Sequence, residues 1–291
     1  MYYFMLLCSF VVLLCFMLVA YFYFYPSKGI QRIRYLEEVK QTFANQIKGP
    51  KRLIVGGSDV LYSFNTDAMN QELIVPSVNL GTNVGLGMGY LLEFAKEHLK
   101  SGDQVIICLA YSLYYKKPYD IFAYEYYRMY DRKKIKRFTI KEQIYFFLGN
   151  IKLNISYVQK QFKLGDSGAY VEVSGSELEV RKNKPLQFPE HFEETETVHQ
   201  LKEFKQYCIE NQIDVKLTFP STLYFEDYMN CTYLQELFEY ASMEFDCIGK
   251  PENYFVPESQ IYNSVYHVNE IGQLIRTRSL VYYLKIQEDK L

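Results

Sequence analysis

The chain has 291 residues, enough for one large domain or two small ones. Apolar residues make up 49% and charged residues 23%, as in folded proteins, and a formal net charge of −2 excludes a global field suited to nucleic acid. Six cysteines without a Cys-x-x-Cys pair argue against a zinc site or a thioredoxin-like motif and leave buried free thiols, or one disulfide, as the readings.

Residues 2 to 25 carry no charge and are long enough to cross a bilayer, which takes about 20 apolar residues. Tyr2, Tyr3, Tyr21, Tyr23 and Tyr25 stand at the two ends, as interfacial anchors do, and Pro26 stops the helix. A cleaved signal peptide would need a basic start, a shorter apolar stretch and a small-x-small cleavage site. The expectation is therefore an uncleaved single-pass anchor over 1–26. Lys28, Arg32 and Arg34 follow it, which by the positive-inside rule would keep the rest of the chain in the cytoplasm.

Ile30, Ile33, Leu36, Val39, Phe43 and Ile47 recur at helical steps, so residues 27–50 read as a helical stalk closed by Gly49-Pro50. From residue 51 onward short apolar runs alternate with helical patterns. Strands are expected at Leu53–Val55, Leu73–Val78, Gln104–Leu109 and Val215–Phe219. Helices are expected at 86–100, 195–211, 232–243 and 268–286. Continuous apolar strands alternating with helices predict an α/β domain over 51–291, a three-layer α/β/α sandwich around a parallel sheet. Residues 113 to about 190, rich in Tyr and Lys and then polar, interrupt the rhythm and read as an insertion that forms a lid or substrate wall.

Three clusters bear on chemistry. In Gly56-Gly57-Ser58-Asp59, a serine after an apolar strand and two glycines suits a nucleophile on a strand-to-helix turn, and equally a simple helix N-cap. In Asn79-Leu80-Gly81-Thr82-Asn83, a glycine after a strand allows close backbone approach to a ligand, or makes an ordinary turn. In Asn263-Ser264-Val265-Tyr266-His267, a histidine in the last element of the sheet protein, entering a helix, suits a base, although a lone histidine is more often structural. The string Gly85-Leu-Gly-Met-Gly89 lacks the spacing and position of a dinucleotide fingerprint and reads as tight packing. Tyr111, Tyr114, Tyr115 and Tyr119 follow a core strand and present either stacking faces for sugar rings or packing for the insertion. The basic run 131–137 is either a solvated loop or a contact for phosphate groups, including lipid head groups.

Taken together, GGSDVLYS, NLG and YHVNEIG resemble, in order and spacing, the first, second and last blocks of the Ser-Gly-Asn-His (SGNH, or GDSL-like) hydrolases and acyltransferases, in particular bacterial envelope members that acylate capsules and wall polymers. The resemblance implies a flavodoxin-like parallel sheet. It makes Ser58 the nucleophile, His267 the general base, and the Ser58 and Gly81 N–H groups oxyanion donors. It implies a cell-surface polysaccharide or acyl donor as ligand, a membrane-bound acyl-transfer partner, and an extracytoplasmic domain, against the charge flank. No cofactor, metal or nucleic acid is implied. The sequence departs from the family in two places. The strand 104–109 runs into Ala110-Tyr111-Ser112 with no Asn for the oxyanion hole, leaving Ser112 or Asn83 as substitutes. Asn263 stands where the family places an acid, leaving Asp59, Glu258 or Glu270 as replacement acids. An esterase or O-acyltransferase, and a non-catalytic binding protein of a polysaccharide assembly, are the two functions these residues allow.

Overall fold

Arg52–Val55 forms the first sheet strand, β1, and all four residues are buried. The computed structural model describes residues 1–157 and 162–288. Within them, β1 is joined by β2 (Ser77–Asn79), β3 (Gln104–Cys108), β4 (Asp214–Thr218) and β5 (Asp246–Ile248). They pair in the order β2-β1-β3-β4-β5, every pair parallel. This is the doubly wound order whose strands reverse direction of growth beside β1, opening a crevice beyond the C-terminal ends of β1 and β3.

Alternate residues of each strand face opposite layers. Ile54, Ile106, Cys108 and Ile248 pack with Val60, Met69, Leu280, Val281 and Leu284, which come from α3 (Ser58–Ser63), α4 (Thr66–Asn70) and α10 (Glu270–Glu288), and with Phe64, the residue that closes α3. Leu53, Val55, Val105 and Ile107 point the other way and are equally buried. On that side α5 (Met88–His98) and α8 (Glu196–Glu210) pack on one another and on β1 and β4, while α9 (Thr232–Glu244) packs on β5. The α/β sandwich expected from the alternation is thus present. Its β2 is shorter than expected and starts at Ser77, and β5, three residues with one half-exposed, has too little apolar pattern to be read from sequence. All six cysteines are free thiols, so the disulfide alternative falls away.

The chain divides into two units. One holds Tyr35–Tyr119 and Gln161–Leu291, with the sheet; the other holds Met1–Arg34 and Asp120–Lys160. Helix α2 (Lys28–Gln46) contributes to both. Its buried side differs from the expected stripe: Val39 and Phe43 are half-buried, while Glu37, Lys40 and Ala44 are buried. The polar pair is accommodated by bonds. Glu37 accepts from the Tyr90 hydroxyl at 2.7 Å, and Lys40 donates to the Asn79 carbonyl at 2.7 Å and to the Gly168 carbonyl. Burial lowers the Lys40 amine to about 7, partly offset by Glu37.

The smaller unit carries α1 (Tyr2–Phe24), a helix long and apolar enough to cross a membrane, with none of its residues buried. Its C-terminal end is held by side chains because its backbone cannot complete itself. The acceptor Phe22 O faces Pro26, which has no N–H, and the Ser27 N–H that Tyr23 O would use goes to the Glu125 carboxylate at 2.8 Å. The Arg128 guanidinium takes both carbonyls, with Nη2 3.2 Å from Phe22 O and Nη1 on Tyr23 O. Arg128 belongs to α6 (Ile121–Tyr130), which is followed by a 3-10 turn over Arg132–Arg137 and by α7 (Ile140–Ile155).

Candidate active site

Ser58 is the first residue of α3, and Gly57 holds the N-cap position with no side-chain cap bond. The glycines before it permit the sharp exit from β1. A Cβ on Gly56 would sit 2.0 Å from Cys108 O, and one on Gly57 would sit 2.5 Å from Val84 Cγ1. The cap reading of Ser58 therefore gives way: its hydroxyl lies 2.8 Å from His267 Nε2.

His267 does not enter a helix, as its neighbours suggested. It opens the two-residue strand His267–Val268, paired antiparallel with Ile261–Ser264 across a tight turn. The hairpin brings Asn263, four residues earlier, to the other side of the ring, with Oδ1 2.8 Å from Nδ1. With the ring proton on Nδ1 donated to that oxygen, the Nε2 lone pair faces the Ser58 hydroxyl, as a general base requires. Ser58 and His267 are both half-buried at the rim beyond β1.

Three residues not singled out from sequence build this arrangement. Tyr62, one helical turn after Ser58, stacks flat on the imidazole, with centroids 4.2 Å apart and planes 9° apart. Asn79 clamps the end of β2 to α3: its Nδ2 donates to Val60 O and Phe64 O, each at 2.9 Å. Asn269 joins the histidine hairpin to α10, accepting from Ile271 N at 3.1 Å and Gly272 N at 3.2 Å while donating to Ser259 O at 2.9 Å. The i, i+4 spacing of Ser58 and Tyr62 was a visible signal, as was an asparagine directly before the helix that begins at Glu270; the Asn79 clamp depends on carbonyls 19 and 15 positions away and had none.

The oxyanion side differs from expectation. The Gly81 N–H already donates to Asn79 Oδ1 at 2.9 Å. Gly81 instead serves close packing, since a Cβ there would lie 2.3 Å from Leu61 N and 2.8 Å from Gly57 O. Asn83 Oδ1 accepts from Gly85 N at 2.8 Å, capping the turn Val84–Leu86. Val84 N, at the start of that turn, lies 3.0 Å from the point a Cβ on Gly57 would occupy, which places this backbone nitrogen beside Gly57. Ser112 is half-buried in the turn Tyr111–Leu113. Tyr111 and Tyr114 are buried, their rings packed rather than presented, which fits the packing alternative at these two positions and leaves Tyr111 no stacking face for a substrate. Tyr115 and Tyr119 are half-buried, and the Tyr119 hydroxyl bonds Glu93 Oε1 at 2.7 Å. Glycines 87 and 89 of the Gly-x-Gly-x-Gly string pack against the Pro118 carbonyl, where added Cβ atoms would lie 2.4 and 2.9 Å away.

None of the candidate replacement acids holds the Asn263 place on Nδ1. Glu258 accepts from Asn183 Nδ2 at 3.1 Å. Glu270 is exposed and lines a cavity of about 710 Å³ between α4, α10 and the ribbon near Lys163–Glu172, whose lining includes neither Ser58 nor His267. Asp59 is fully buried, and neither carboxyl oxygen has a hydrogen-bond partner among the described residues. Burial raises its pKa to about 7, partly offset by the backbone N–H groups around Gly57, Asp59 and Val60. Among the described residues no group of His, Cys, Asp and Glu is arranged to hold a metal ion.

No family model and no curated protein sequence matches the chain. Among solved structures, a protein from Streptococcus pneumonia, provisionally described as a platelet activating factor, is similar over 87% of this chain and 94% of its own, with a TM-score of 0.43 and 14% identity.

Proposed function

We propose that this chain is a membrane-anchored, SGNH-like acyl-ester enzyme that works through an acyl-Ser58 intermediate. The observation that carries the reading is the unbroken line Ser58 Oγ, His267 Nε2, His267 Nδ1, Asn263 Oδ1, with both bonds at 2.8 Å. In the first half-reaction Ser58 Oγ attacks the acyl carbon while His267 Nε2 takes its proton. The negative oxygen of the tetrahedral adduct meets the Ser58 N–H and the Val84 N–H, where one donor is worth about 3 kcal/mol. Collapse breaks the ester bond, and the leaving alcohol departs with the proton from Nε2. In the second half-reaction a hydroxyl, from water or from a sugar, loses its proton to Nε2 and takes the acyl group; the acyl–Oγ bond breaks and Ser58 Oγ leaves with the proton from Nε2, which restores the resting site. Stacking of Tyr62 on the ring supports the imidazolium form, as π faces support cations.

The substrate class we propose is a cell-surface polysaccharide, either as acceptor of an acyl group transferred to its hydroxyls or as an O-acyl ester that is hydrolysed, the two outcomes sharing one acyl-Ser58 intermediate. The anchor α1 would hold the enzyme beside its polymer and beside a membrane-bound acyl donor, with the sheet unit on the outer side. Hydrolysis of p-nitrophenyl acetate by the purified protein, lost in Ser58→Ala, tests the chemistry; a folded protein with no Ser58-dependent turnover counts against it. A second reading, a non-catalytic binding protein, is favoured by one observation: a neutral amide at the place of the acid. Ser58-dependent turnover removes it.

A further inference from the structure

In the smaller unit, the buried residues of α7 are Phe146 and Asn150. On the outside of the helix, Ile140, Ile144, Leu148 and Ile155 are exposed by 77, 58, 59 and 74%. With the half-buried Ile151 they stand at steps of four, four, three and four, which places all five along one helix face. Exposed Lys141, Lys152 and Tyr145 flank that face. A soluble helix has no use for such a stripe, since large exposed apolar patches mark interaction sites.

Two observations identify what covers it. The first is continuity with α1. Phe147 meets Tyr23 edge-on at 5.8 Å, and Lys28 N lies 3.4 Å from Asn154 Oδ1, so α7 is seated on the chain where the apolar helix ends. The second is charge. The turn leading into α7 reads Arg132-Lys133-Lys134-Ile135-Lys136-Arg137, five cations in six residues, of which Arg132, Lys133, Lys136 and Arg137 are exposed. An apolar stripe edged by lysines and tyrosine, beside a basic cluster and a spanning helix, is what an interfacial helix presents to a bilayer carrying anionic lipid.

We propose that α7 lies in the head-group region of the membrane that α1 crosses, its isoleucine and leucine face in the acyl boundary and the 132–137 turn on anionic head groups. The inference rests on the reading of α1 as a membrane span. It gives the anchor a second, orienting foothold, which fixes the unit against rotation about a single helix.

The chain has no tryptophan, so one introduced tryptophan reports its own site. The full-length protein is reconstituted in vesicles of phosphatidylcholine with and without phosphatidylglycerol. Ile144→Trp, Leu148→Trp and Ile155→Trp sample the stripe, Leu153→Trp samples α7 outside it, and Leu13→Trp samples α1. Quenching by nitroxide-labelled lipid is compared with quenching by aqueous iodide. The expected result is lipid quenching several-fold stronger at the three stripe positions than at Leu153→Trp, deepened by phosphatidylglycerol. Lys133→Gln with Lys136→Gln and Arg137→Gln should remove that lipid dependence. Stripe positions as open to iodide as Leu153→Trp, with Leu13→Trp quenched by lipid, overturn the interfacial helix and leave the span intact. Stripe positions shielded from both quenchers indicate a protein cover and also overturn it. Leu13→Trp untouched by lipid removes the span and the inference with it.

Discussion

The two sides of Ser58 are built differently. On the base side, serine, imidazole and amide form a continuous line, braced by a stacked tyrosine and tied to α10 through Asn269. On the oxyanion side, the Gly81 N–H is engaged by Asn79 and the strand ends in Ala110-Tyr111-Ser112, without an asparagine. Proton transfer and charge stabilisation are separate demands on a site. In the proposed mechanism the first is served by a full set of contacts and the second by backbone donors alone. Even the base side is complete in geometry rather than in charge: with the ring proton on Nδ1, Asn263 Oδ1 accepts it but brings no negative charge to an imidazolium.

The comparison breaks most decisively at Ser58. Ser58→Ala should lower ester turnover by on the order of 10³ or more with the fold unchanged, measured by initial rates and circular dichroism. Loss of that size with no effect of substitutions on the oxyanion side would show that the base side carries the reaction. Next in size is Asn263→Asp, which supplies the missing charge. Turnover should rise, by between about tenfold and 10⁴-fold, because the reverse change in a serine protease costs about 10⁴. A fall in rate would mean that the amide is doing something a carboxylate cannot.

Asp59 sharpens the contrast from beneath the same helix. One residue from a half-buried hydroxyl, it is a buried carboxyl whose oxygens have no hydrogen-bond partner among the described residues. Its folded pKa of about 7 lies above the ordinary value of 3.8, so the neutral acid favours the fold. That contribution is complete below the unfolded value and is lost as pH rises through about 7. Asp59→Asn keeps the shape and removes the titration. Its stability relative to the native chain should grow between these pH values, by on the order of a few kcal/mol, in denaturant titrations at several pH values. A difference that does not change with pH would mean that the carboxyl is ionised throughout. Smallest is Tyr62→Leu, which removes the ring over the imidazole. It should lower turnover roughly fivefold, the scale of one cation–π contact, and leave KM nearly unchanged.

How much was legible follows from what each feature depends on. The sheet was readable because its central strands carry continuous apolar runs buried on both faces, and 53–55 and 105–108 announce themselves in that way. β5 was not, because Asp246-Cys247-Ile248 takes its place from neighbours rather than from pattern. Ser58 and His267 were readable as residue types at the ends of elements, and the turn-and-strand context of His267 was not, since Tyr266-His267-Val268 differs little from a helix entry. The surroundings of Gly81 differ from the expected ligand approach for a physical reason. A glycine after a strand means close backbone approach, and here the approaching group is Leu61 of the same chain rather than a ligand. The burial of Lys40 and Glu37 was likewise hidden, because their partners, Asn79 and Tyr90, lie 39 and 53 positions away.

The central claim is a covalent bond, and mass spectrometry reads it directly. The protein is mixed with an activated acetyl ester, quenched in acid within the first turnover, digested and mapped. The account predicts a single acetyl group on the peptide beginning the α3 turn, located at Ser58, absent in Ser58→Ala and strongly reduced in His267→Ala. An acetyl group found on other side chains, or equal labelling in the two variants, would contradict it.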